Sequence, residues 1–174
     1  MEIYLIRHTT PLIDKGLIYG RLDVPLTDSF LVERGQVIGQ LPDDIEVVYS
    51  SPSLRCSQLA AFISPFYMED KALHELSFGD WEGKTWDTID RAASDVWMND
   101  FVNLAPPAGE SMLEMQQRVM GFWNGLLELP YRKAAVVTHS GVIRIILAHY
   151  REIALKDAFS IKVGMAEVVR LNCS

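Results

Sequence analysis

The chain has 174 residues, enough for one domain with a sizeable core, and 49% of them are hydrophobic, which argues against disorder. Its net charge of −7 argues against general binding to nucleic acid or to an anionic membrane, so a bound anion would need a local positive pocket. The two cysteines, Cys56 and Cys173, have neither metal-ligand spacing nor the pattern of a disulfide framework. The sequence contains no signal-peptide pattern and no apolar run of roughly 18 residues, so we expect a cytoplasmic protein.

The first predicted element is a strand that ends in charged side chains. Residues 3–6 form an apolar run of β-formers, which is typical of a strand buried on both faces, and Arg7 and His8 follow it directly. A long polar loop over residues 11–28 then precedes a helix predicted over about 30–41. Ligands of open α/β sheets bind at such strand ends, although an ordinary solvated strand end has the same local pattern.

The second predicted strand leads into a helix that carries an arginine close to its start. Residues 45–49 predict the strand, and Ser51 as N-cap with Pro52 at the first helical position predicts a helix that continues to about residue 62. Arg55 then lies near a helix N-terminus, where a cation is unfavourable unless an anion lies between them. The sequence therefore leaves two alternatives for Arg55, a surface side chain or an anion ligand.

The middle of the chain has weaker patterns. Residues 65–73 are irregular, with a short strand as the alternative, and residues 75–83 resemble a packed loop because they combine two glycines with aromatic side chains. A weak helical periodicity over residues 86–102 favours a helical insertion rather than a part of the sheet. We expect a single domain over residues 1–174, with an insertion over about 80–110 that covers the site.

The last third of the chain predicts a helix, a buried strand and a second histidine. Ser111 and Glu114 form a capping box that predicts a helix to about residue 129. Residues 134–138 predict a buried strand that ends in His139. The remaining predicted elements are a helix and an edge strand, over residues 142–150 and 165–171.

This alternation of strands and helices predicts a mostly parallel α/β sheet with helices on both faces, a three-layer sandwich. In such a sheet the ends that carry Arg7 and His8, Arg55, and His139 lie at one edge. Two arginines and two histidines in one crevice repel each other unless an anion is present. The sequence therefore predicts a pocket for an anion at this edge.

Five motifs, spread over nearly the whole chain, resemble those of the histidine phosphatase superfamily with its phosphoglycerate-mutase-like fold. They are Leu5-Ile6-Arg7-His8-Thr9, Ser50-Ser51-Pro52 through Arg55-Cys56, Glu75 with Phe78-Gly79 and Glu82-Gly83, Pro106-Pro107 with Gly109-Glu110-Ser111, and Thr138-His139-Ser140-Gly141-Val142-Ile143-Arg144. The loop with Tyr19-Gly20, Asp23-Val24-Pro25-Leu26 and Phe30 is similar to the branch of that family that acts on α-ribazole 5′-phosphate.

The resemblance implies a division of labour among five side chains. His8 is the expected nucleophile, because a neutral imidazole can accept a phosphoryl group to give a phosphohistidine and release it again. Arg7 and Arg55 are expected to hold the non-bridging phosphate oxygens, with a protonated His139 as a third positive contact. Glu75 is the expected general acid, which protonates the leaving alkoxide and then activates water.

Other assignments are left open at this point. Glu82 is the competing carboxylate, although we expect it to order the loop. A polar contact that this family often makes from the loop after the first strand has no clear counterpart, so Thr9 and Gly20 are candidates for it, and Ser140 is a further candidate for phosphate binding. The resemblance implies no metal and no cofactor.

The expected partner is a small-molecule phosphomonoester, with no nucleic acid and no membrane, and the chain is expected to be a monomer or a homodimer. Leu76 stands where mutases of this family have an arginine, so we expect a small acid with a second charge to be held poorly. Trp81, Trp86 and Trp97 are expected to pack in the core, with stacking on an aromatic leaving group as the alternative.

The leading functional prediction is hydrolysis of α-ribazole 5′-phosphate by a metal-independent phosphomonoesterase. A broad-specificity histidine phosphatase and a phosphoglycerate mutase are alternatives on the same fold. A catalytically silent phosphate-binding module is the alternative outside enzymes, and the presence of both the nucleophile and the acid argues against it.

Overall fold

The computed structural model describes residues 1–173 and contains a five-stranded sheet with the strand order β3-β2-β4-β1-β5. The strands are β1 (Glu2–Arg7), β2 (Val47–Ser50), β3 (Met68–Glu69), β4 (Lys133–Thr138) and β5 (Val168–Asn172). Four strands run parallel, and β5 pairs antiparallel with β1 at one edge of the sheet. The predicted mostly parallel sheet and the predicted edge strand are therefore confirmed.

Within residues 1–173, five α-helices accompany the sheet. They are α1 (Phe30–Ile38), α2 (Leu54–Ile63), α3 (Arg91–Asn99), α4 (Met112–Leu127) and α5 (Ser140–Tyr150). Three short 3-10 helices cover Lys71–Leu73, Gly79–Trp81 and Leu155–Ser160. In the described part of the chain, no helix is both long and apolar enough to cross a bilayer.

Alternate residues of the central strands contribute to two separate cores, which is how helices come to cover both faces. Ile3 and Leu5 of β1 pack in one core with side chains of α4 and α5, whereas Tyr4 and Ile6 pack in the other with side chains of α1 and α2. Because side chains of a strand point alternately to opposite faces, the near-continuous apolar run of β1 requires both layers. The three-layer arrangement is confirmed.

The start of α2 differs from the prediction. The N-cap is Ser53, with φ −57° and ψ 135°, so the helix begins at Leu54 and the predicted N-cap at Ser51 is wrong. Ser51 instead continues the strand direction, because its amide donates to the carbonyl of Val137 at 2.9 Å. Its hydroxyl can therefore face the end of the neighbouring strand. Because α2 begins at Leu54, Arg55 is the second residue of the helix.

Two other helices show how local caps set their limits. The capping box of Ser111 and Glu114 is confirmed at the start of α4. The helix in the insertion is shorter than predicted, because Asp90 caps its start by accepting from the amide of Ala93 at 2.9 Å.

Candidate active site

The register of the three central strands brings their carboxyl ends to one edge. Arg7 pairs with Thr138 in the β1–β4 ladder, and Ser50 pairs with Val137 in the β2–β4 ladder. The next residues along the three strands are therefore neighbours. The rings of His8 and His139 lie 5.2 Å apart between centroids, in an edge-to-face arrangement.

His8 is held as a neutral imidazole with one defined tautomer. Its Nδ1 lies 2.7 Å from the carbonyl oxygen of Thr9, which can only accept, so Nδ1 carries the proton and Nε2 has a free lone pair. Burial lowers the pKa of His8 to about 3, with the charges of Arg55 and Arg7 as further causes. The ring therefore presents an unprotonated Nε2 over the physiological pH range.

His139 is also held in the neutral form. Its Nδ1 lies 3.2 Å from Nη2 of Arg55, which can only donate, so the proton of the ring is on Nε2 and is donated to Oγ of Ser51 at 2.8 Å. Burial lowers the pKa of His139 well below its usual value, and His8 and Arg55 add to that effect. The structure thus favours a neutral His139, whereas the family resemblance implies a protonated one.

Arg55 is a fully buried cation that is held by backbone carbonyls. Its Nη2 donates to Gly20 at 2.6 Å and its Nη1 donates to Leu22 at 2.9 Å, while Tyr19 lies under the guanidinium at 5.1 Å. Among residues 1–173 it forms no ion pair with a carboxylate, and its buried Nε has no hydrogen-bond partner. A buried cation without a counter-charge is unfavourable, so this arrangement suits the binding of an anion.

Two further buried donors next to His8 lack partners within the described residues. They are Nε of Arg7 and the hydroxyl of Thr9. Arg7 is half-buried, and its Nη1 donates to the carbonyl of Val163 at 2.6 Å. The structure therefore brings together His8, Arg7, Thr9, Arg55 and His139, with three unpartnered donors among them.

Glu75 reaches the same region from the loop after the first 3-10 helix. Its Oε2 accepts from the amide of Gly141 at 3.1 Å and lies 3.4 Å from the hydroxyl of Ser140, and its Oε1 accepts from the amide of Leu76 at 3.0 Å. The carboxylate thus lies at the N-terminus of α5, where it accepts from a backbone amide that has no partner within the helix. Ser140, a predicted phosphate contact, thus has its hydroxyl against the carboxylate of Glu75.

Glu82 ties two loops together. Its Oε1 accepts from the amides of Arg21 and Phe78, each at 3.0 Å. The contact requires a glycine at position 20, because a Cβ there would lie 2.5 Å from that same oxygen and 2.6 Å from the carbonyl of Leu76. Gly20, predicted as a phosphate contact, thus supplies its carbonyl to Arg55 and allows the close approach of the loops.

A cavity of about 250 Å³ adjoins this site on the side of Glu75 and Gly20. Most of its lining is apolar or aromatic: Leu17, Ile18, Tyr19, Leu76, Phe78, Trp86, Met112, Met115 and Phe159. Trp86 is 40% exposed at the cavity, whereas Trp81 and Trp97 are buried in the core, so the expectation of core packing is correct for two of the three tryptophans.

Arg144 of α5 adds a positive charge to this otherwise apolar cavity. Its Nε donates to the carbonyl of Ile161 at 2.9 Å, and its guanidinium lies 5.6 Å from the ring of Phe159. Among the described residues it has no carboxylate within ion-pair distance. The residues around Leu76 in the sequence give no indication of this cation, because Arg144 comes from a distant helix.

The sequence likewise does not indicate several other residues of the site, because they come from distant segments of the chain. The local sequence predicts Ser51 as a helix cap, although its hydroxyl is the partner of His139. No local pattern indicates Arg118, which donates to the carbonyl of Glu75 at 3.1 Å. Arg21 lies in the polar loop after β1, and its position in a turn gave no indication of its contacts. In the described chain, no cluster of three or more His, Cys, Asp or Glu side chains is arranged to hold a metal ion.

The fold and the site define a class of α/β protein in which a buried arginine without a carboxylate partner in the described chain lies beside a neutral histidine, at the carboxyl edge of a mostly parallel sheet. The family model described as histidine phosphatase superfamily (branch 1) matches residues 3–174. The chain belongs to the histidine phosphatase superfamily.

Three relatives illustrate how the family is represented among known proteins. The chain is 30% identical to the "Putative phosphoserine phosphatase 2" of Hydrogenobacter thermophilus, over 98% of this chain and 89% of the relative. It is 25% identical to the crystal structure of the α-ribazole phosphatase from Shigella flexneri, with a TM-score of 0.88 over 100% of this chain and 91% of that one. It is 30% identical to TTHB049 from Thermus thermophilus, with a TM-score of 0.76 over 99% and 94% of the two chains.

Proposed function

We propose that this protein is a metal-independent phosphomonoesterase that acts through a phosphohistidine intermediate. The observation that carries the proposal is the neutral His8 with a free Nε2, adjoining a buried Arg55 that has no carboxylate partner in the described chain. The nucleophile and the cation that must accompany a transferring phosphoryl group are thus already in place.

The first half-reaction follows from the positions of these groups. Nε2 of His8 attacks phosphorus in line with the leaving oxygen, so the N–P bond forms as the ester P–O bond breaks. Arg7 and Arg55 hold the non-bridging oxygens and stabilise the charge on them, with the hydroxyl of Thr9 as a further donor. Glu75, beside the cavity that would receive the leaving group, gives its proton to the departing alkoxide.

The second half-reaction regenerates the site. Glu75, now a carboxylate, takes a proton from a water molecule as that water attacks phosphorus. The N–P bond breaks, His8 returns to its neutral form with Nδ1–H still bonded to the carbonyl of Thr9, and inorganic phosphate leaves. No metal is needed in this scheme, because the arginines supply the positive charge.

We propose α-ribazole 5′-phosphate as the preferred substrate. The aromatic and apolar walls of the cavity, with Trp86, Phe78 and Tyr19 among them, suit a leaving alcohol that carries a benzimidazole. The similarity to the α-ribazole phosphatase of Shigella flexneri supports the same substrate.

A second candidate is a phosphatase or mutase that acts on a phosphomonoester with a carboxylate on its alcohol, such as phosphoserine or phosphoglycerate. Arg144 favours it, because a guanidinium without a carboxylate partner in the described chain lines the cavity beside Glu75. The name of the relative from Hydrogenobacter thermophilus is consistent with this alternative.

The test of the reaction is phosphate release from 4-nitrophenyl phosphate in the presence of a chelator. We expect turnover by the wild-type protein and a loss of at least about 10³-fold in His8→Ala, because the nucleophile is absent. His149→Ala is the matched control, because His149 is exposed at the end of α5, and it should keep wild-type activity.

In Glu75→Gln, mass spectrometry should detect a phosphoryl group on His8. Undiminished turnover by His8→Ala would exclude the covalent mechanism, and phosphate binding without turnover would indicate a silent module.

The test of the substrate compares kcat/KM for α-ribazole 5′-phosphate, phosphoserine and 3-phosphoglycerate. We expect α-ribazole 5′-phosphate to have the highest value and to keep it in Arg144→Leu. A higher kcat/KM for either carboxylated ester, lost by about tenfold or more in Arg144→Leu, would support the second candidate.

A further inference from the structure

The loop residue Arg21 lies between the phosphate-binding cation and the general acid. The carbonyls on either side of it, of Gly20 and Leu22, accept from the guanidinium of Arg55 at 2.6 and 2.9 Å. Its own Nε donates to the carbonyl of Glu75 at 3.2 Å. One residue therefore connects the backbone that holds Arg55 to the backbone that carries Glu75.

Glu110 anchors the side chain of Arg21. Nη2 of Arg21 lies 2.8 Å from Oε1 of Glu110, and the same carboxylate pairs with Arg118 through Nη2 at 2.5 Å and Nε at 3.0 Å. Burial opposes the ionisation of Glu110, but the hydrogen bond and charge of Arg118 and the charge of Arg21 outweigh it and hold its pKa below the usual value. The carboxylate thus stays charged and can hold both arginines.

The two arginines converge on one acceptor. Nη2 of Arg118 donates to the carbonyl of Glu75 at 3.1 Å, so this oxygen accepts from both Arg118 and Arg21. Glu110 also accepts from the amide of Ser77 at 3.1 Å, two residues after the acid. The backbone of Glu75 is therefore fixed from both sides, and the side chain of Arg21 extends that arrangement to the loop that holds Arg55.

We propose that Arg21 is a positioning residue that couples the placement of Arg55 to the placement of Glu75. It donates to backbone and to Glu110, and acts through Arg55 and Glu75 rather than on the substrate. The proposal rests on the proposed function for the roles of these two side chains. The alternative is an ordinary ion pair with a side chain that is 37% exposed, and such pairs contribute little.

The first experiment compares two leaving groups in Arg21→Gln. A 4-nitrophenolate departs without a proton, whereas an alkoxide needs the proton of Glu75, so the alkyl ester reports on the acid. We expect kcat/KM to fall about tenfold for 4-nitrophenyl phosphate and about 100-fold for the alkyl phosphate that the wild-type protein hydrolyses best. Equal losses for the two esters would overturn the proposed coupling to Glu75.

The second experiment asks whether Arg21 acts through Glu75. In the Glu75→Gln background, Arg21→Gln should lower kcat/KM for the alkyl ester by only about tenfold, the part of the loss that comes through Arg55, because the acid is already absent. A double variant whose loss of kcat/KM equals the product of the two separate losses would overturn the proposal.

The third experiment measures the binding of inorganic phosphate by calorimetry, which tests the link to Arg55 without turnover. We expect the Kd of Arg21→Gln to rise about tenfold, because the carbonyls that hold the guanidinium shift with the loop. An unchanged Kd would overturn the coupling to Arg55. A wild-type protein that hydrolyses neither ester would refute the proposed function, and the phosphate measurement would still decide this part of the inference.

Arg91→Gln is the matched control, because Arg91 is an almost fully exposed arginine of α3 that pairs with Asp95 on its own helix. It should match the wild-type protein in all three experiments. Should Arg21→Gln fail to fold, Arg21→Lys replaces it, because one ammonium group cannot bond to the Glu75 carbonyl and Glu110 in the geometry of a guanidinium. Arg21→Lys should show the same pattern of losses with smaller values, and the absence of that pattern would overturn the proposal.

Discussion

His8, the proposed nucleophile, shows at the scale of one residue how burial keeps an imidazole unprotonated. In water an imidazole is a mixture of tautomers and is half protonated near a pH of about 6.5. Here the carbonyl of Thr9 selects the Nδ1–H tautomer, and burial next to Arg55 lowers the pKa to about 3. The same arginine that would bind phosphate therefore also keeps the nucleophile unprotonated.

This arrangement predicts that His8 does not titrate in the ligand-free protein over the ordinary working range. We expect its ring nitrogens to keep the chemical shifts of the neutral Nδ1–H tautomer from about pH 8 down to about pH 5, measured by ¹H–¹⁵N NMR with a His8→Asn variant for assignment. A midpoint near the ordinary histidine value of about 6.5 for His8 would contradict the prediction.

At the scale of one element, the N-terminus of α5 positions the carboxylate of Glu75, the proposed general acid. His139 occupies the N-cap without a side-chain cap, and the carboxylate of Glu75 accepts from the amide of Gly141 in its place. A glycine is required at position 141, because a Cβ there would clash with Oε1 of Glu75. The start of this helix thus sets the position of the Glu75 carboxylate.

We therefore predict that Gly141→Ala displaces Glu75 and lowers kcat for alkyl esters by about 100-fold. The stability should change little, because alanine favours the helix by up to about 1 kcal/mol and offsets part of the clash. Steady-state kinetics and urea unfolding check the two expectations.

Gly125→Ala in α4 is the control, because a Cβ at that position has open space, and it should keep the wild-type kcat. Wild-type activity in Gly141→Ala would show that the position of Glu75 against α5 does not matter for the reaction.

At the scale of the whole molecule, the folded state contains two histidines whose protonation is unfavourable. His8 and His139 are buried beside Arg55, and the folded state lowers the pKa of both histidines. Because the unfolded chain takes up protons near a pH of about 6.5 and the folded chain does not, acidification favours unfolding. The free energy of unfolding is thus highest above the unfolded-state pKa and falls as the pH decreases towards the folded-state value of about 3 for His8.

We predict that the free energy of unfolding falls between about pH 6.5 and about pH 5 by up to about 1.4 kcal/mol per pH unit for each of these histidines. Urea unfolding at several pH values measures how the free energy of unfolding changes with pH. In His8→Asn this slope should decrease by the amount that corresponds to about one proton, because one of the two histidines is absent. The window lies above the range in which most carboxylates titrate, so it isolates the histidines. A stability that does not change across this window would contradict the prediction.

Local patterns were enough to predict the sheet, its two helical layers and the family. The apolar run of residues 3–6, the capping box of Ser111 and the alternation of strands and helices carry that information. Arg7, His8 and His139 could be placed at one edge because they directly follow predicted parallel strands. Each of these inferences uses side chains a few residues apart, where secondary structure imposes the geometry.

Contacts between distant segments became apparent only in the folded chain. Ser51 bonds to His139 rather than capping α2, His139 is neutral because it is buried beside His8 and Arg55, and Arg144 and Arg21 reach the site from elements far from Glu75. The physical reason is that burial, tautomer and charge depend on which groups lie within a few ångströms in space. Neighbours in the sequence do not specify those groups once the chain has folded.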